Sequence, residues 1–327
     1  RVLKVTLNAI GVPVGLSVGA SRWMAFGLVL PGVDVGVPSI QVFDYPVAES
    51  TEIIVTQVRY PRIVLGAVVG CALAVAGTVM QGFFRNPLAD PSIIGVSSGA
   101  AVGAVATIAF PLALPFGLQT AAFVGAVASA FLVYAIATKH GRTPVATLLL
   151  AGVAIQTFLG AVISYLLLHS GEGLERAIFW LMGHLHNSTW GEVGITLPLT
   201  VVMSGVLMMY ARDLNVLMMG EADAQTVGIP VERTKRILLA LSSIVTAAAV
   251  AVAGVIGFVG LIVPHVMRLV VGPDHRILLP TSALAGAIFL VVTDTVARSG
   301  PAELPVGIVT AAVGAPFFLF LLTRREV

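Results

Sequence analysis

The chain has 327 residues, of which 57% are hydrophobic and only 10% charged, whereas a soluble protein of this size carries about 25% charged residues to cover its surface. That composition excludes a water-soluble globule, a nucleic-acid binder and a disordered chain together, and identifies a polytopic membrane protein. The net charge of +2, from 18 Lys and Arg against 16 Asp and Glu, is too balanced to point to an acidic polymer as partner.

A helix needs about 20 predominantly apolar residues to cross a hydrocarbon core about 30 Å thick, and a charge near its centre costs about 2.5 to 3.5 kcal/mol. Spans are therefore expected in the gaps between charges. In chain order these gaps centre on 62–82, 92–112, 117–137, 144–168, 193–211, 237–255, 256–271, 277–297 and 304–322. A tenth candidate, 5–30, is interrupted by Asn8, Pro13, several glycines and Arg22. The lone cysteine, Cys71, falls inside the first of the nine gaps and reads as a small core residue.

Small residues recur at helical spacing in Gly66 and Gly70, in Gly95, Gly99 and Gly103, and in Gly254, Gly257 and Gly260. Such spacing lets backbones approach where lipid supplies no hydrophobic drive. No long polar block separates the spans, so residues 1–327 are expected to form one transmembrane domain. With ten spans and an inner N-terminus, thirteen Lys and Arg fall inside; five, Arg22, Arg59, Arg62, Arg176 and Arg298, fall within the membrane or beyond it on the outer side. That asymmetry orients the chain with both termini inside.

Nucleotide chemistry is not expected on this chain, because a P-loop needs a Gly-Lys pair and the three lysines, Lys4, Lys139 and Lys235, follow Leu3, Thr138 and Thr234. An ion-coupled carrier usually holds ionisable groups at mid-membrane. Here Asp294 is the main exception, and it lies one helical turn before Arg298, a spacing that predicts a structural ion pair. No catalytic residue is expected.

Several stretches are more specific. Arg59-Tyr60-Pro61-Arg62 opens the first of the nine gaps, followed by NPLADPSIIGVSSGAAVGA from Asn86, LLLAGVAI from Leu148 and FWLMG from Phe179. Then come LMMGEADAQTVGIPVERTKR from Leu217, AGVIGFVGLIVPHVMRL from Ala253, DHRILLP from Asp274 and AELPVGIVTAAVGAPFFLFLL from Ala302. In order and spacing these closely resemble the FecCD family, the permease subunits of ABC importers for iron-siderophores, haem and vitamin B12. The resemblance covers about residues 55–325.

The resemblance implies an all-α, ten-helix subunit of the type II ABC importer permease fold. It also implies a homodimer in the bacterial inner membrane, a periplasmic binding protein, and two cytoplasmic ATPase subunits that use ATP and Mg, with no cofactor or permanently bound metal on this chain. It makes the polar stretch 214–236 a coupling loop, with Gly220, Glu221, Ala224, Gln225 and Gly228 facing the ATPase. Arg59, Arg62 and Arg298 match positions that dock the binding protein, and a guanidinium fork suits a carboxylate there. Asn86, Pro87, Asp90 and Pro91 break the chain between spans, and Pro264 should kink or end a helix before His265. These are read as gate-adjacent elements.

The outer segment 169–190 is the expected entrance of the path and holds Arg176, Met182, His184 and His186. Imidazole and thioether suit haem iron, and arginine suits its propionates. Haem is therefore the expected substrate, with a ferric siderophore or cobalamin as alternatives, and an ion-coupled secondary carrier as the distant one.

Overall fold

The structure is a computed structural model and describes residues 49–110, 117–300 and 302–324. The helices are α1 (Tyr60–Phe84), α2 (Val96–Ala109), α3 (Gly117–Ala137), α4 (Val145–Leu168), α5 (Leu174–Leu181) and α6 (Trp190–Met209). They continue with α7 (Ala211–Met219), α8 (Glu221–Thr226), α9 (Val231–Ala253), α10 (Val259–Val271), α11 (His275–Ala297) and α12 (Val306–Arg324). Among the described residues no strand forms; Lys139 and Arg142 make an isolated bridge across a turn.

The fold is all-α, as expected. Six of these helices, α1, α3, α4, α6, α9 and α11, are long and apolar enough to cross a membrane. The other three expected spans correspond to α2, α10 and α12, which are shorter apolar helices. The tenth candidate, 5–30, lies outside the described residues.

Two expected spans are shortened by breaks. The gap 92–112 is helical only from Val96, because Pro91–Ile94 forms a 3-10 turn capped by the Asp90 side chain, and Gly95 follows at φ 81°. The gap 256–271 is helical only from Val259, because residues 254–258 are unwound and Phe258 takes φ 68°. A helix of 13 residues such as α10 rises about 20 Å, short of a hydrocarbon core of about 30 Å. Pro264 does not end α10, which runs through it to Val271. The carbonyl it leaves without an intrahelical partner belongs to Gly260, and that carbonyl is packed against the Cα of Gly77.

Close glycine contacts set the packing of α1, the most enclosed span. Gly70 and Gly286 oppose each other so closely that a Cβ on either would overlap the other's carbonyl, which seats α11 on α1. Gly99 and Gly125 do the same for α2 and α3. The third glycine series behaves differently: Gly254 and Gly257 lie in the unwound segment rather than on a helix face, and only Gly260 is helical. The core is continuous from Leu65 and Val69 through Leu148 and Leu214 to Leu290. By contrast α4 is only 17% buried, against 78% for the span containing α1. Its Leu150, Val153, Phe158 and Leu168 point outward, an apolar face suited to lipid or to another subunit.

Candidate functional site

At the N-terminal end of α1 the chain does not start a helix at Arg59. It enters from a helical turn, Glu49–Ile53, through a π-helical segment, Ile54–Arg59. Arg59 and Arg62 therefore do not share a solvent face: Arg59 is exposed, and Arg62 is 7% exposed. The Arg62 guanidinium grips Asp294 of α11 through Nε at 3.0 and 3.1 Å and Nη2 at 2.7 Å, and Nη1 pairs with Glu303. Arg298 Nε reaches the same Asp294 carboxylate at 3.1 Å, so the ion pair expected from the i,i+4 spacing is present and has a third member. Buried charges are retained only when paired in this way. Glu303, 241 positions from Arg62, had no signal in sequence spacing.

A cavity of about 1390 Å³ opens between the N-terminal part of α3, α5, the 184–192 segment, α6 and α9. The segment is held by backbone bonds: His184 donates its N–H to the Ala253 carbonyl at 2.7 Å, and Gly307 donates to Gly183 at 3.3 Å. The capping box of Thr189 and Glu192 then starts α6, and Gln119 of α3 donates to Glu192 at 3.0 Å.

Arg176, His184 and His186 all line this cavity. Met182 does not, and lies with Leu174, Ile178 and Phe179 in a separate apolar depression. The imidazoles of His184 and His186 stand 4.5 Å apart, centroid to centroid. Burial pushes His184 down to about 4, with the neighbouring His186 and Arg62 adding to the effect. His186 is also lowered, chiefly by burial and further by Arg62, while Glu303 opposes the shift. Both rings are thus neutral near pH 7, the form in which imidazole binds a metal centre. Among the described residues no group of three His, Cys, Asp or Glu is placed to hold a metal ion.

The expected gate-adjacent residues fall into one contact region only in part. Asn86 is exposed, and its side chain accepts the Leu88 N–H in an Asx turn. Pro91 is buried against Gly260 of α10, one turn before Pro264 and the buried His265. The adjoining Ile93 carbonyl accepts the Gln156 amide of α4 at 2.7 Å, so the break between α1 and α2 is held by α4 and α10 together.

On the opposite end, the stretch expected to be helix-compatible folds as α8, with Gly220 before it and Gly228 at φ 86° after it. Ala224 is fully buried, whereas Gln225 and Gly228 are exposed. Met219 and Val227 flank α8 as exposed apolar side chains. Glu221 pairs with Lys235 at 3.2 Å and approaches Arg85 at 3.7 Å.

The FecCD transport family model matches residues 15–324. The chain belongs to the FecCD transport family. It is 59% identical to the cobalamin import system permease protein BtuC of Halobacterium salinarum, over 98% of this chain and 88% of that one. It is 43% identical to the hemin transport system permease protein HmuU of Yersinia pestis, over 82% of this chain and 83% of that one. A solved metal-chelate type ABC transporter in an inward-facing conformation superposes with a TM-score of 0.80 at 33% identity, covering 99% of this chain and 97% of that one. This FecCD chain is a multi-pass membrane protein and a transport component rather than an enzyme.

Proposed function

We propose that this FecCD chain is the permease subunit of an ATP-driven importer that carries a corrinoid of the cobalamin type into the cytoplasm. The observation that carries the substrate is the 59% identity, over nearly the whole chain, to a cobalamin import permease. Haem is the second reading, favoured by the neutral His184 and His186 beside Arg176 on the outer cavity. It is weakened by Met182, which lies off that cavity, and by the lower identity, 43%, to the hemin permease.

In the proposed assembly the chain lies in the cytoplasmic membrane with both termini inside, and two copies meet to form one path. The exposed apolar face of α4, which the described residues leave open, supports such pairing. Substrate arrives on a binding protein that docks at the outer arginines. Arg59 offers an exposed fork, while Arg62 and Arg298 are set in place by Asp294. Two ATPase subunits seat α8 between the exposed Met219 and Val227. Nucleotide binding favours one of two states of the path through its differential affinity for them. A gradient-driven carrier would need a mid-membrane carboxylate that takes up and releases a proton, and Asp294 is instead gripped by two arginines.

The test is uptake into proteoliposomes holding this chain with its ATPase and binding protein, comparing cyanocobalamin, haem and a ferric siderophore with and without ATP. ATP-dependent uptake of cyanocobalamin alone is expected. Uptake of haem alone would move the assignment to the second reading, and gradient-driven uptake without an ATPase would overturn the importer class.

A further inference from the structure

Lys235 lies in the second turn of α9 with its side chain 5% exposed. A buried ammonium must satisfy all three of its N–H donors. Lys235 does so with the Thr143 carbonyl at 2.6 Å, Glu221 at 3.2 Å and Glu232 at 3.2 Å. The second oxygen of Glu232 accepts the Thr143 N–H at 3.1 Å, so the backbone of Thr143 is clamped on both sides. Thr143 stands just before Pro144, the N-cap of α4. Glu221 is the first residue of α8, and Arg85 from the end of α1 reaches it as well.

At Lys235 these contacts join α8 and α9 to the turn before α4, 92 positions away in sequence, and Glu221 extends the network to Arg85. The turn 138–143 is itself stiff, closed by the paired backbones of Lys139 and Arg142 and by the Thr138 and Thr143 hydroxyls at 2.9 Å. α8 is thus tied to the start of α4 by an ionic joint centred on a buried ammonium, as well as through the chain into α9. The helix it reaches, α4, also holds the break at Ile93 through Gln156.

We infer that Lys235 is a positioning residue that makes α8 and the start of α4 move as one body, so that events at α8 reach the path through α4. This inference rests on the importer reading above. It predicts that cutting the joint lowers the amount of chelate moved per ATP hydrolysed, a ratio that a merely stabilising contact would leave unchanged in the folded fraction.

The experiment uses the reconstituted full complex with cyanocobalamin, haem and ferric siderophore as probes, and compares wild type with Lys235→Met and Glu221→Gln. Glu221→Gln guards against misfolding, since it leaves Lys235 bonded to Glu232 and Thr143. Spin labels at Ala222→Cys and Lys139→Cys, both exposed positions, in a Cys71→Ala background report the distance between α8 and the turn before α4.

The expected result is a fall in uptake per ATP of roughly fivefold or more, the lower range of coupling between sites, in both variants. The label distance should stay constant on ATP binding in wild type and change in the variants. An unaltered ratio in both variants, or a wild-type distance that already changes with ATP, would overturn the inference and leave the importer reading standing. A wild-type complex with no ATP-dependent uptake of any probe would overturn both.

Discussion

Replacing Asp294 by Asn removes the charge at the centre of the Arg62–Asp294–Arg298 cluster while keeping its shape. The carboxylate is 4% exposed and accepts from Arg62 at 2.7, 3.0 and 3.1 Å and from Arg298 at 3.1 Å. Breaking a buried pair by removing one partner costs about 3 to 5 kcal/mol, mostly because the remaining charge stays buried. Arg62 retains Glu303, whose side chain is 45% exposed, and Arg298 is partly solvated, so the lower end applies. We expect a loss of about 3 kcal/mol, roughly two orders of magnitude in the unfolding equilibrium.

The assay is reversible unfolding in mixed micelles, followed by tryptophan fluorescence, for Asp294→Asn, Arg62→Gln and the double variant. The double variant should be less destabilised than the sum of the singles by more than about 1 kcal/mol, because each single leaves the same joint half broken. A loss below about 0.5 kcal/mol for Asp294→Asn, or strictly additive singles, would refute the view that this carboxylate organises the arginines.

Gly70→Leu and Gly286→Leu should each force α1 and α11 apart and destabilise by about 1 to 3 kcal/mol or more, whereas Gly160→Leu on the open side of α4, with nothing within 4 Å, should change stability little; the same unfolding assay compares them. His184 has a folded-state value of about 4 against an ordinary 6.5, so the unfolded chain takes up the proton first as pH falls. Stability should therefore be constant above about pH 6.5 and decline toward pH 4, and His184→Gln should flatten that decline in thermal melts recorded across this window. Arg59→Glu should weaken capture of the binding protein by tenfold or more, read by surface binding at low salt, while unfolding midpoints stay near wild type because Arg59 is exposed; an unchanged affinity would remove it from the docking face.

Much of the architecture was legible in the order of residues because the bilayer imposes a local rule. Each span must bury about 20 apolar residues and satisfy its own backbone, so charge-free gaps located nine of the helices. Glycine spacing likewise announced the close faces of α1 and α2, though not that Gly286 and Gly125 would be their partners. The Asp294–Arg298 pair was readable because i and i+4 adjoin on any helix.

What only the tertiary structure decided is contact between distant segments. Sequence spacing could place Arg59 and Arg62 one turn apart. It could not reveal that α11 and the loop before α12 would enclose Arg62 while Arg59 stays exposed. It could gather Arg176, Met182, His184 and His186 into one stretch, yet the turn after α5 sends Met182 away from the cavity that the other three line. Lys235 read as one more inner-side positive charge until Thr143, Glu221 and Glu232 were brought around it. A local periodicity dictates helices, whereas a buried charge acquires its partners only when the helices pack.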